Sequence, residues 1–279
     1  MTKLKVLIPT DFSVQAEFAY LMVKKLGEKI EMETHFLHVL DVPDTVTLNS
    51  KGQVETCGDI DAGFVNSQKE IAERKLATLK TLYGENIQTH FVLGKLTDQI
   101  VSFSEKNNYD LIVMGTKGAW GIKDKLSGTE TQMVARQSKV PLLSMMCDRS
   151  QLVIDNILLV HNFSKPENEG LNLLNILMQS FHPKVHLLQI VKEESENLLV
   201  LAQMDEFAKL NGITNYEKHL LKDSDVENGV IHFNQMHEMD MICIGTQGRK
   251  GIERLIHPSA TEKLINHLFK PIISFHLAK

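Results

Sequence analysis

The sequence predicts an α/β protein made of two tandem domains, each a five-stranded parallel sheet covered by helices. Three observations predict it. The chain has 279 residues, comfortable for two domains of about 100–150 residues and long for one. Residues 110–145 align without a gap on residues 240–275. Asp110/Asp240, Ile112/Ile242, Gly115/Gly245, Thr116/Thr246, Gly118/Gly248, Gly121/Gly251, Ile122/Ile252, Thr131/Thr261, Pro141/Pro271 and Ser144/Ser274 coincide, a duplication that decides the architecture before any propensity argument. Short apolar runs alternate with amphipathic stretches in both halves, the pattern of βα units whose sheet is buried on both faces.

In the first half the strands are KVLIP, THFLHVL, THFVL, DLIVMG and PLLSM. The first helix is SVQAEFAYLMVKKLGEK, with Ser13 as N-cap, an apolar face through Ala16, Ala19, Val23 and Leu26, and Gly27 as its stop. NSQKEIAERKLATLKTLYG and TDQIVSFSEKNN supply the next two helices. The second half repeats this order from NILLV, which lies under the opening KVLIP, through KVHLLQIV, EKHLLK and DMICIG to PIISFHL. The domains are placed at residues 1–148 and 152–279. The runs VPLLSM and KPIISFH are expected at the sheet edges. Residues 41–63 of the first half, polar and glycine-containing, have no downstream counterpart; a loop of that length reads as a lid, a partner-binding segment or disorder.

A formal charge of −5 and the absence of any Lys/Arg run exclude the electrostatic footprint of a nucleic-acid binder. No stretch approaches about 18 apolar residues, and the apolar run after Met1 is too short for a signal sequence, so no membrane insertion and a cytoplasmic location are expected. Cys57, Cys147 and Cys243 are far apart in sequence and fit reduced thiols. His182 and His186 have no third ligand type beside them in sequence, so no metal site is predicted. No GxxxxGK[ST], GxGxxG, GxSxG or HExxH pattern is present and no catalytic residue is predicted.

Gly115, Gly118 and Gly121 follow the fourth strand, and Gly128-Thr129-Glu130-Thr131 open the last helix of the first half. Open parallel sheets bind ligands beyond the carboxyl ends of their strands. Glycines there let backbone N–H groups approach phosphate oxygens, and threonine hydroxyls add donors. The spacing Gly115-x2-Gly118-x9-Gly128-Thr129 resembles the G-x2-G-x9-G-[ST] signature of the universal stress protein family, and VLIPTDFS, HVLDVP and VPLL resemble that family as well. The resemblance implies a Rossmann-like, adenine nucleotide alpha hydrolase-like fold, with ATP as cofactor, with or without Mg. Carried over by position, Asp11 and Val39 would meet the adenosine end, and Gly115, Gly118, Gly128, Thr129 and Thr131 the phosphates. Pro9, Thr10, Met114 and Glu130 complete the cofactor-binding set. The resemblance also implies that edge strands pair between domains, giving an intrachain pseudo-dimer, with a homodimer left open.

The second half departs from the signature: Pro258 stands at the third glycine, Asn162 stands at Asp11, and Lys222 is read as standing where Gly94 follows the third strand. Proline offers no N–H, so the second loop reads as degenerate. Alternatives remain for the first half. Asp11 serves equally as a cap of the first helix, the glycine turn as tight packing, and Glu130 favours the helix dipole but repels an anion unless it points away. The expected function is a stress-response ATP-binding regulatory or adaptor protein. The alternatives are an ATP-independent interaction or small-molecule-binding module, and a weak nucleotide hydrolase.

Overall fold

A computed structural model describes residues 3–50, 52–57, 60–116, 130–163, 167, 171–192, 197–247, 264 and 268–277. The first half runs β1 (Lys3–Pro9), α1 (Val14–Leu26), β2 (Glu31–Leu40), β3 (Val46–Leu48), β4 (Val54–Thr56), α2 (Ala62–Tyr83), β5 (Gln88–Leu93), α3 (Leu96–Lys106), β6 (Leu111–Gly115), α4 (Glu130–Gln137) and β7 (Leu142–Met145). The second runs β8 (Asn156–Val160), α5 (Asn172–Phe181), β9 (Lys184–Val191), α6 (Asn197–Leu210), β10 (Tyr216–Lys222), α7 (Val226–His237), β11 (Met241–Gln247) and β12 (Ile272–Leu277). The helix expected over residues 259–269 lies almost wholly outside the described residues.

Ten strands form one sheet in the order β10-β9-β8-β11-β12-β7-β6-β1-β2-β5. Within each half the neighbours are parallel, and at the seam β7 meets β12 antiparallel, Leu143 opposite Ile273. The Ser144 hydroxyl donates to the Ile272 carbonyl and the Ser274 hydroxyl to the Leu142 carbonyl, both at 3.4 Å. Exchanging the halves maps one bond onto the other, the mark of an isologous contact. The expected edge strands are thus edges of their own halves that cover each other, an arrangement that fits an intrachain pseudo-dimer; β5 and β10 are the outer edges.

Val6 and Ile8 face the layer of α1, α2, α5 and α6, while Leu7 faces that of α3, α4 and α7, and all three are fully buried. A strand buried on both faces needs an unbroken apolar run, as these residues supply. The repeat pair Asp110 and Asp240 has a structural role: each carboxylate accepts a backbone N–H near the start of the neighbouring strand, Lys5 at 2.7 Å and Asn156 at 2.8 Å. Ser13 caps α1 as expected, accepting from the Ala16 N–H. Gly27 does end α1, but with φ −64, so its glycine freedom is unused.

Two elements differ from expectation. Residues 41–63 contain the β3–β4 hairpin, which packs Val42, Val46, Val54 and Val65 into a small cluster against Leu40 and Leu93. Helix α2 starts several residues before the expected Asn66, because Asp61 accepts the Gly63 N–H at 2.8 Å and supplies an earlier cap.

Candidate functional site

In the first half the chain leaves β1 toward β2 on one side and returns through β6 on the other, so a topological switch point falls between β1 and β6. Crevices at such points, outside the carboxyl ends, are where open α/β sheets hold ligands. Pro9, Thr10, Asp11, Val39, Met114 and Gly115 all lie at that edge.

The turn after β1 is tightly built. The Thr10 N–H donates to the Leu37 carbonyl at 2.8 Å, and the Thr10 hydroxyl accepts the Phe12 N–H at 3.0 Å. Asp11 is exposed and one carboxylate oxygen accepts the Ser13 N–H at 3.0 Å, so the residue buttresses the turn. Phe12 sits at φ +64, a left-handed conformation uncommon for an aromatic residue and found where surroundings impose it. Its ring lies 4.6 Å from that of His38, with the Lys75 ammonium 5.0 Å from the ring centre. His38 donates from Nδ1 to the Thr10 carbonyl at 2.7 Å, and burial pushes its pKa below the usual value. The sequence does not single out Phe12, His38 or Lys75; the VLIPTDFS and HVLDVP runs, which contain Phe12 and His38, carry the only signal.

Val39 and Met114 are buried. Gly115 is glycine for a reason independent of any ligand: a Cβ there would lie 1.9 Å from the Gln15 carbonyl oxygen, so β6 and the first turn of α1 approach too closely for a side chain. The Glu130 carboxylate accepts the Thr97 hydroxyl at 2.7 Å, in the first turn of α3. Thr131 is buried in the first turn of α4. Gly118, Gly128 and Thr129 lie outside the described residues, as does Pro258.

The downstream edge is built differently from the same plan. His161 takes the place of Thr10, its N–H donating to the Leu188 carbonyl at 3.2 Å. Gln189 replaces His38 and accepts the Phe163 N–H at 3.1 Å. Phe163 is fully buried and meets Phe207 edge-on at 5.0 Å, while the His161 ring stacks on Phe207 at 4.9 Å. The strand register also corrects one sequence pairing. Leu93 lies opposite Leu40 and Lys222 opposite Val191, so Asp223, not Lys222, stands where Gly94 does. Gly94 adopts φ +129, a glycine conformation. Asp223 instead holds His232 at 2.6 Å.

The sequence model of the universal stress protein family matches residues 4–144 and again residues 157–276. Two universal stress proteins of Methanocaldococcus jannaschii are each 29% identical to this chain. One match runs over 139 residues, 50% of this chain and 79% of that protein; the other over 149 residues, 50% and 92%. A universal stress protein structure from Archaeoglobus fulgidus superposes with a TM-score of 0.74, 21% identity, and coverage of 99% of this chain and 97% of that one. A putative universal stress protein from Pseudomonas aeruginosa gives 0.59, 14%, 98% and 93%; at these identities both structures speak for the fold alone. No helix among the described residues is long and apolar enough to cross a membrane. With two successive family matches spanning nearly its whole length on a duplicated parallel α/β fold, the chain belongs to the universal stress protein family.

Proposed function

We propose that the chain is a stress-response regulatory protein that binds ATP at the β1/β6 switch point of its first half, while the second half serves as its structural partner. The observation that supports this reading is the gathering of Pro9, Thr10, Asp11, Val39, Met114 and Gly115 at the carboxyl edge of the β1/β6 switch point. The buried Val39 and Met114 suit the apolar contacts a nucleotide pocket needs. The spacing Gly115-x2-Gly118-x9-Gly128-Thr129 supplies the residue types for a phosphate cradle. The β3–β4 hairpin packs on Leu40 and Leu93 at the carboxyl ends of β2 and β5, beside the adenosine end of this pocket, and is the element that occupancy would bias. The downstream half lacks the third glycine and buries its turn aromatic under Phe207.

Titration of the full chain with a fluorescent ATP analogue, with and without Mg, tests the reading. One saturable site per chain is expected. It should be lost on Gly128→Pro, which writes in the residue that the downstream half carries at Pro258. No binding to the unaltered chain, or undiminished binding to the Gly128→Pro chain, overturns it.

A further inference from the structure

Both halves stack a pair of histidines from adjacent parallel strands near the amino ends, away from the nucleotide edge. His35 Nδ1 lies 3.0 Å from His90 Nε2, and His186 Nδ1 lies 3.0 Å from His219 Nε2. The surroundings of the two pairs differ in the groups that decide metal chemistry. In the first half the Tyr109 hydroxyl is 2.8 Å from His35 Nδ1 and Glu33 accepts from His35 Nε2 at 2.9 Å. The residue opposite His35 is Gln88. That pair is closed by neutral donors and by a carboxylate on its far side.

In the second half Met239 replaces Tyr109 and Glu217 replaces Gln88. The Glu217 Oε2 atom is 3.7 Å from His186 Nδ1 and 3.8 Å from His219 Nε2. Three ligand atoms of the types that zinc prefers therefore form a triangle with sides of 3.0, 3.7 and 3.8 Å. In a tetrahedral site with metal–ligand distances of about 2.0–2.2 Å, neighbouring ligands sit about 3.3–3.5 Å apart, so small side-chain adjustments close the triangle around one ion. Supporting contacts are in place. Asn156 Oδ1 accepts from His186 Nε2 at 3.2 Å, which leaves Nδ1 as the lone pair facing the cluster. Lys184 holds the other Glu217 oxygen at 2.7 Å and keeps Oε2 turned inward. His186 is buried and Glu217 exposed, so the cluster reaches solvent on its Glu217 side.

We infer that His186, Glu217 and His219 form a binding site for a zinc-like divalent transition-metal ion at the β9/β10 edge of the second half. On binding, the proton that His219 Nε2 shares with His186 Nδ1 moves to His219 Nδ1, and both bared nitrogens ligate.

Calorimetric titration of zinc(II) into the full chain without nucleotide is expected to show one equivalent bound. Glu217→Gln, an isosteric change at an exposed position, and His219→Ala should each weaken it by roughly tenfold or more, whereas His90→Ala in the upstream pair leaves it unchanged. Mg(II) gives no heat, because imidazole is a poor ligand for a hard ion. Absence of zinc binding, or binding that survives both Glu217→Gln and His219→Ala, overturns the assignment.

Discussion

Phe12 and Phe163 occupy the same position in the duplicated sequence, yet one is half-buried in a left-handed turn beside His38 and the other is wholly enclosed against Phe207 and His161. The same divergence recurs at the other end of the sheet, where one histidine pair is closed by a tyrosine and the other faces a carboxylate. Duplication has kept the backbone scaffold in both halves, including its antiparallel seam. Besides the β3–β4 hairpin of the first half, what separates the halves is a handful of side chains toward the two ends of the strands. A parallel sheet constrains its strand centres by burial on both faces and leaves the ends to loops, so the ends are where two copies of one fold are free to acquire different chemistry.

The comparison predicts unequal costs for equal substitutions. Phe163→Ala should destabilise the chain by about 3–5 kcal/mol, the range for emptying a fully buried aromatic site, and Phe12→Ala by only about 1 kcal/mol, since its ring is partly exposed. Equal shifts of the two urea midpoints would erase the distinction drawn here. Next in size is Gly115→Ala, at about 2–3 kcal/mol, because the new methyl meets the Gln15 backbone and forces α1 to move. Gly229→Ala in α7 places its methyl 2.4 Å from Ile190 Cδ1 and 2.8 Å from its Cγ1, side-chain atoms that can shift where the Gln15 backbone cannot. It should stay within about 1 kcal/mol of the parent, helped by the better helix propensity of alanine. A larger loss for Gly229→Ala than for Gly115→Ala in the same denaturation series would contradict the account of Gly115.

A smaller effect concerns pH. Burial lowers the pKa of His35, His90 and His186, and that of His219 to about 4. The unfolded chain, with histidines near about 6.5, then binds more protons than the native one below that pH. The stability of the neutral pairs is therefore full above about pH 6.5 and declines as pH falls toward 4. The melting temperature should drop from pH 7 to pH 5, and His219→Gln should flatten that drop more than a surface His232→Gln change does. A melting temperature that does not move between those pH values would sink the claim.

Much of the fold was legible without coordinates. The gapless match of residues 110–145 on residues 240–275 carries the tandem repeat, and the unbroken apolar run of KVLIP carries a strand buried on both faces. Family membership was legible in the glycine spacing, because spacing is a property of the chain itself. The histidine cluster was not, since His186 and His219 come together only through the pairing of β9 with β10; the alternation of Glu217 and His219 on one face of a strand was its sole local trace. Nor was the displacement of Gly94 onto Asp223, which depends on register.

The sequence by itself determined the duplication, the element order and the family, because periodicity and spacing are local facts that survive unfolding. Only the tertiary structure decided that Glu130 leans on Thr97, that Gly115 is demanded by the Gln15 carbonyl, and that a carboxylate faces the paired nitrogens of one histidine pair but only the far nitrogen of the other. Each of these is a distance between residues remote in the chain, and such distances exist only after strands have chosen their neighbours.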